Sequence, residues 1–239
     1  MIHNKKVVAI VLAGGKGKRM GTQISKQYLE LKGHPLLFYS LETFEHSLAD
    51  EIVLVVASGE EDYVKREIVE KYRLTKVVKI VTGGRERYDS VYHGLCAVED
   101  ADIVMIHDGA RPFLSEKMIY KAAEATSLYG ACVVGVKVKD TIKVSDENNN
   151  ITETPDRSRL WQVQTPQSFK FSYIKEAYKT VLEKGEKNIT DDAMIWEACR
   201  KESVKLIEGE YFNIKITTPE DMIFGEAILE NIEKNEKSC

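Results

Sequence analysis

The fold is decided by Val7-Val8-Ala9-Ile10-Val11-Leu12 running into Ala13-Gly14-Gly15-Lys16-Gly17-Lys18-Arg19-Met20. An apolar run of strand length delivers a glycine-rich turn dense in cations. Where side chains are missing, a phosphate can approach the backbone, free N–H groups can point at it, and nearby cations balance its charge. A little further on, Lys26 in Ser25-Lys26-Gln27-Tyr28-Leu29 can fold back over whatever the turn holds. Neither common phosphate fingerprint fits. A P-loop ends in Lys-Ser/Thr, whereas Arg19-Met20 stands here; a dinucleotide fingerprint needs G-x-G-x-x-G, and Met20 takes the third glycine's place. The plain alternative is an ordinary strand-to-helix turn with solvated lysines, and the density of glycine and cation weighs against it.

Working outward, strand-like apolar runs at 52–56, 77–81, 103–106 and 131–136 alternate with helical patterns at 35–44, 60–72, 87–97 and 115–129. Ser115 suits the N-cap of the last of these. Such alternation predicts an α/β fold, a doubly wound, mostly parallel Rossmann-like sheet covered on both faces. The pattern breaks between 137 and 164. There Thr141-Ile142-Lys143-Val144 and Ile151-Thr152-Glu153-Thr154 flank the polar turn Asp146-Glu147-Asn148-Asn149-Asn150. This predicts a projecting β-hairpin arm over 138–160. A lone hairpin is marginal in water, so a second copy of the chain is the economical partner, giving a homodimer; an arm packed on its own domain is the alternative. Helical patterns return at 171–184 and 191–200, short strands are expected at 204–207 and 213–216, and Thr218-Pro219-Glu220-Asp221 opens a final helix.

The 239 residues suit one domain over 1–239, and 43% hydrophobic content is ample for one core. A net charge of −4 gives no basic field for nucleic acid, so phosphate affinity must come from a local cluster. Cys96, Cys132, Cys199 and Cys239 form no C-x-x-C, as expected of reduced thiols in the cytoplasm. The five histidines include no H-E-x-x-H, which disfavours zinc. The opening apolar stretch is too short for a signal peptide or a membrane span.

In a parallel sheet, ligands gather beyond the carboxyl ends of the strands. The segments there are 13–26, Thr82-Gly83-Gly84-Arg85-Glu86-Arg87, His107-Asp108-Gly109-Ala110-Arg111-Pro112 and Lys139-Asp140-Thr141. They are rich in phosphate-type donors and hold no obvious covalent nucleophile. Asp108 can face a metal or a sugar hydroxyl. Each residue also has a plainer reading: Arg85 and Arg87 as surface charges, His107 as a structural strand-end residue, Lys215 as an outward lysine, Thr190-Asp191-Asp192 as a helix start. Their placement at one sheet edge favours the functional reading.

The opening segments resemble the signature of sugar-phosphate nucleotidyltransferases. Gly83-Gly84-Arg85-Glu86-Arg87-Tyr88-Asp89-Ser90-Val91, His107-Asp108-Gly109-Ala110-Arg111-Pro112-Phe113, Asp140-Thr141-Ile142-Lys143, Asp156-Arg157-Ser158-Arg159-Leu160-Trp161, Gln164-Thr165-Pro166-Gln167 and Asn213-Ile214-Lys215 narrow the match. As a set, from Val7 to about Ile228, they are similar to the 2-C-methyl-D-erythritol 4-phosphate cytidylyltransferase family. Three departures stand out: Ala13-Gly14 where two alanines are usual, Gly109 where alanine is usual, and Ser25 where proline often precedes the lysine. The last is expected to loosen the segment that presents Lys26. Ribitol 5-phosphate cytidylyltransferases are the nearest rival; a non-catalytic nucleotide sensor and a dinucleotide oxidoreductase are the alternatives of other classes.

The resemblance implies a cytidylyltransferase of isoprenoid precursor synthesis, acting on CTP and a polyol phosphate with Mg2+. It implies catalytic roles for Arg19, Lys26, Arg157 and Lys215, and nucleotide binding by Ala13, Gly14, Gly15, Gly17, Arg19, Lys26, Gly83, Gly84, Ser90 and Asp108. Asp108, Arg111, Thr141, Arg157, Thr165 and Lys215 are expected around the acceptor, with Asp108 the only candidate toward the metal. Arg157 is expected to reach a partner's site from the arm.

Overall fold

The structure is a computed structural model and describes residues 2, 4–15, 25–185, 188–199 and 202–236, with side chains up to residue 234. The elements in order are β1 (Val7–Ala13), a 3-10 turn (Lys26–Tyr28), β2 (Glu30–Leu31), β3 (His34–Pro35), α1 (Leu36–His46), β4 (Glu51–Val56) and α2 (Glu61–Val64), which runs on as a π-helical segment (Lys65–Glu70). There follow β5 (Val77–Thr82), α3 (Arg87–Ala97), β6 (Ile103–Asp108), α4 (Glu116–Tyr129), β7 (Ala131–Lys137), β8 (Val144–Ser145) and β9 (Ile151–Glu153). The chain ends with β10 (Trp161–Lys170), α5 (Phe171–Glu183), α6 (Asp192–Cys199), β11 (Lys205–Glu208) and α7 (Pro219–Glu236).

The main sheet has seven strands in the order β11-β7-β10-β6-β1-β4-β5. Every pairing is parallel except those of β10, which runs antiparallel between β6 and β7. Successive side chains of a strand point to opposite faces, and here both faces are covered, so the inner strands are apolar throughout. Val7, Ala9 and Val11 face one core with Leu41 and Phe44 of α1 and Ile119 of α4. Val8 and Ile10 face the other with Leu95 of α3, Tyr178 of α5 and Trp196 of α6. A third cluster, with Leu36, Phe113, Ile216 and Ile228, seats α7 beside β2 and β3.

Two segments differ from the sequence-based expectation. The residue pattern announces no strand between the arm and the helix at 171, yet β10 is a central strand, with a register shift between Val163 and Gln167 around a cis Thr165–Pro166 bond. Residues 213–216, expected as a strand because Ile214 and Ile216 alternate, are irregular, and Ile216 N–H donates only to the Ala110 carbonyl at 2.9 Å. The arm does project as expected: β8 and β9 pair with each other as a separate two-stranded sheet, and Ile142, Val144 and Ile151 are exposed. Asp146 shapes its tip, accepting from the N–H groups of Asn148 and Asn150 at 2.9 and 2.8 Å.

Candidate active site

The parallel strands end on one edge, where a cavity of about 750 Å³ opens. Its floor is backbone: Ala13, Gly14 and Gly15 leave β1, and Gly83 and Gly84 leave β5. Gly83 N–H donates to the Val56 carbonyl at 2.7 Å, drawing the second turn against β4. Gly84 N–H donates to Ser90 Oγ at 3.0 Å, and Ser90 Oγ donates in turn to the Glu86 carbonyl at 3.1 Å. A Cβ at Gly84 would collide with the Cβ of Asp89, whose backbone carbon stands 3.2 Å from it. The bare backbone is therefore required by the capping box that starts α3, in which Glu86 and Asp89 each accept from the other's backbone.

Asp108 closes β6, beside Leu12 of β1, with only 11% of its side chain exposed. Its Oδ2 accepts from Lys215 Nζ at 2.7 Å and its Oδ1 from Arg87 Nε at 3.1 Å. Burial pushes this carboxyl up, but the Arg87 and Lys215 charges outweigh burial and hold it well below the usual carboxylate range. Arg87 is gripped from behind as well: its two terminal nitrogens donate to both oxygens of Asp192, at 2.9 and 2.8 Å. Asp192 is fully buried and also accepts from the Tyr178 hydroxyl at 2.5 Å. Burial opposes the Arg87 charge, yet Asp192 and Asp108 raise its pKa well above the ordinary value. Gln167 of β10 accepts from the N–H groups of Asp192 and Ala193 at 3.0 and 2.9 Å, fixing the start of α6.

A second layer supports Asp108 from below. Thr165 Oγ1 accepts from the Asp108 N–H at 3.1 Å, so its own hydrogen is available to His107 Nδ1 at 3.0 Å. That leaves His107 Nε2–H to donate to the Arg111 carbonyl at 3.2 Å. Burial brings the His107 imidazole down to about 4, and it stays neutral at physiological pH. Arg111 donates to the Asn213 carbonyl at 2.7 Å, and Asn213 Nδ2 donates to the Thr165 carbonyl at 2.9 Å. Between this anchor and the Ile216–Ala110 hydrogen bond, Lys215 is left facing Asp108.

Lys26 lines the same cavity. Its 3-10 turn presents the ammonium 3.3 Å from the Ile216 carbonyl, one residue from Lys215, and the Gln27 amide donates to the Ala13 carbonyl. The lysine expected to be outward on a strand and the lysine expected to fold back over the glycine turn thus meet at one cavity.

Of the residues singled out in the sequence, Ala13, Gly14, Gly15, Lys26, Gly83, Gly84, Ser90, Asp108 and Lys215 surround this cavity. Arg111 and Thr165 do not line it; the Arg111 terminal nitrogens donate to the Asn213 and Val163 carbonyls, and the Thr165 hydroxyl serves His107 and the Asp108 amide. Thr141 and Arg157 lie outside it too, with Arg157 donating to the Lys139 carbonyl at 2.6 Å at the base of the arm. Gly17 and Arg19 fall outside the described residues. Among the described residues no group of three His, Cys, Asp or Glu side chains is disposed to hold a metal, and both oxygens of Asp108 are engaged.

In the sequence, Arg87 and Asp192 are weighed against plainer readings as a surface charge and a helix start; they receive no site role there, and nothing announces their pairing. The available signal was Tyr178. It shares the apolar stripe of α5 with Ile174 and Val181, and a buried hydroxyl needs a partner.

A polyanion laid against bare backbone and flanked by cations, with a caged carboxylate beside it, is the arrangement a nucleotidyltransferase requires, and the chain is of that class. The family model for 2-C-methyl-D-erythritol 4-phosphate cytidylyltransferase (IspD) matches residues 7–231. A Clostridium botulinum protein of that name is 53% identical over 224 residues, covering 93% of this chain and 99% of the relative. One from Alkaliphilus metalliredigens is 50% identical over 236 residues, covering 98% and 97%. The crystal structure of 4-diphosphocytidyl-2C-methyl-D-erythritol synthase from Anaerococcus prevotii superposes with a TM-score of 0.83 at 37% identity, covering 95% of this chain and 96% of that one. The chain belongs to the 2-C-methyl-D-erythritol 4-phosphate cytidylyltransferase family and is an enzyme, a cytidylyltransferase.

Proposed function

We propose that this enzyme joins CTP to 2-C-methyl-D-erythritol 4-phosphate, releasing pyrophosphate, as a step in making isoprenoid precursors. The observation that carries the proposal is the meeting of Lys26, Lys215 and Asp108 at a glycine-floored cavity. An oxygen of the acceptor's phosphate forms the new bond to the α-phosphorus of CTP. The bond from that phosphorus to the bridging oxygen of the β-phosphate breaks, and its electron pair leaves with pyrophosphate. A phosphate monoester with a second pKa of about 6 is largely a dianion at neutral pH, so no base is needed to create the nucleophile. What the protein must supply is position and charge neutralisation.

In this reading the backbone at Ala13, Gly14, Gly83 and Gly84, held by Ser90, receives the nucleotide. Lys26, with Arg19, offsets charge on the α-phosphate and the departing pyrophosphate. Lys215, oriented by Asp108, holds the acceptor phosphate in line. Arg111 and Thr165 act behind Asp108, keeping it and the Lys215 stretch in place. Magnesium bound with the triphosphate would offset part of its negative charge. Asp108 fits as the ion's neighbour rather than its anchor, because Arg87 and Lys215 already occupy its oxygens.

A homodimer through the 138–160 arm completes the proposal, with Thr141 and Arg157 serving a partner's cavity. The exposed apolar residues of the arm support it. The free thiols of Cys96, Cys132 and Cys199 agree with a cytoplasmic enzyme, and no described helix is long and apolar enough to cross a membrane. Pyrophosphate release from CTP and magnesium, measured with each polyol phosphate, tests the proposal. Release is expected with methylerythritol phosphate; release with ribitol phosphate alone overturns the assignment.

A further inference from the structure

Ser25, Gln27 and Tyr28 are each tied down, Gln27 at the cavity's edge and Ser25 and Tyr28 outside its lining. The Gln27 amide, almost fully buried, is spent on the Ala13 carbonyl at the end of β1. The other two converge on one carboxylate far along the chain. Ser25 Oγ donates to Glu60 Oε1 at 2.7 Å, and the Tyr28 hydroxyl donates to Glu60 Oε2 at 2.6 Å. The Tyr28 ring also meets Tyr63 edge-on, with centroids 5.2 Å apart.

Glu60 is well placed to be a fixed post. Its N–H donates to the Ala57 carbonyl at 3.1 Å and its carbonyl accepts from Val64 N–H at 2.9 Å, so its backbone belongs to the turn joining β4 to α2. Ser25 does not cap the 3-10 turn it precedes, which leaves its hydroxyl free for the longer reach. Lys26 and Gln27 lie between the two Glu60 donors, and the Lys26 ammonium reaches the carbonyl beside Lys215. With Ser25 and Tyr28 pinned to Glu60 and Gln27 pinned to Ala13, the turn that carries the lysine is fixed beside the cavity.

We infer that Glu60 is a positioning residue: by bridging Ser25 and Tyr28 it holds the turn that aims Lys26 at the reacting phosphates. The bridge restrains at Ser25 a segment that in relatives with proline there would be stiffened by the ring. Hydrogen bonds to a charged group are among the stronger ones, and two of them on one carboxylate suffice to hold a single turn. Orientation of this kind acts on turnover, because a misaimed cation still attracts a polyanion but meets the developing charge poorly.

The inference rests on the role proposed for Lys26, and a double-mutant cycle separates the two. Lys26→Ala alone tests that role: undiminished turnover removes Lys26 from the mechanism. Glu60→Ala is expected to lower kcat about tenfold at saturating substrates and to leave KM for CTP within about threefold. In the Lys26→Ala background the same substitution is expected to lower kcat by less than about twofold, since the group it aims is gone. Glu60→Gln keeps both contacts by exchanging donor and acceptor roles with the hydroxyls, and it is expected to restore most of the rate. Equal losses in both backgrounds, or an unchanged kcat in Glu60→Ala, overturn the inference. Should Glu60→Ala not fold, Tyr28→Phe takes its place in the cycle, with an expected loss of about threefold that again vanishes without Lys26.

Discussion

Lys215 Nζ stands 2.7 Å from Asp108 Oδ2, across 107 positions of sequence. The Arg87 and Lys215 charges keep Asp108 ionised despite its burial, so it can hold the ammonium in one place without taking its proton. The lysine is still about one-third exposed, toward the cavity, and keeps donors for a phosphate. The pair therefore behaves as an aimed cation rather than a closed ion pair.

Removing an aimed cation that acts in the transition state commonly costs about 3 kcal/mol, a hundredfold or more in rate. Lys215→Ala and Lys26→Ala are each expected to lower turnover by at least about that factor while the protein stays folded. Steady-state kinetics with circular dichroism of each variant checks both halves of the statement.

Arg87 is pinned between Asp108 and Asp192, and Asp192 is fully buried. Asp192→Ala leaves Arg87 short of its bidentate partner and Tyr178 with an unpaired hydroxyl, and it is expected to cost about 3 kcal/mol or more. Tyr178→Phe, which deletes one hydroxyl, should cost only about 1 kcal/mol. Urea unfolding of the two variants gives the comparison. An Asp192→Ala protein as stable as its parent would mean that the network holds nothing together.

Stability should fall on acidification before the carboxylates titrate. His107 accepts a proton near 6.5 when unfolded and only at about 4 when folded. Between those values the unfolded chain binds more protons, so stability rises with pH across the window and levels off above it. The loss on going from pH 7 to pH 4 is on the order of 3 kcal/mol. Asp108, also depressed in the fold, adds a further loss only below its unfolded value of 3.8. Unfolding midpoints between pH 4 and 7 should therefore slope less in His107→Gln than in the parent.

Deleting residues 142–152 should weaken the dimer and the activity together, because the arm is proposed to supply both contact area and Arg157's approach. Sedimentation and turnover of the deletion variant are the paired measurements. An unchanged dimer would put the subunit contact elsewhere.

Much of the architecture was legible because the inner strands are apolar on both faces and the helices carry clear stripes and caps; Ser115 accepts from the Met118 N–H at 3.2 Å, as its position suggests. β10 was not legible. Gln162, Gln164, Thr165, Pro166, Gln167 and Ser168 contain no large apolar side chain, and a proline argues against a central strand. Yet most of these polar groups are satisfied in the interior: Gln167 by α6, Thr165 by His107, Gln164 by the Glu210 carbonyl at 2.8 Å. The glycine turns and Asp108 could be found by looking just past the carboxyl end of each strand, and Lys215 by its motif. Arg87 lies in one of those segments too, but its pairing with Asp192 was not legible, because it crosses from α3 to α6 and is shared with a hydroxyl supplied by α5.

The single reversed strand has a consequence for biosynthesis. β6 and β7 run in the same direction with a one-strand slot between them, and only β10 fills it. A nascent chain that has passed Lys137 but not Lys170 therefore carries a raw edge on β6 and raw edges on both sides of β7, in strands rich in Val, Ile and Met. Such edges template mispairing, either with each other or with a neighbouring polypeptide. A slot zipped shut too early must reopen before Thr165 and Gln167 can enter. Throughout the ribosome's interval between those two points, the slot stands open.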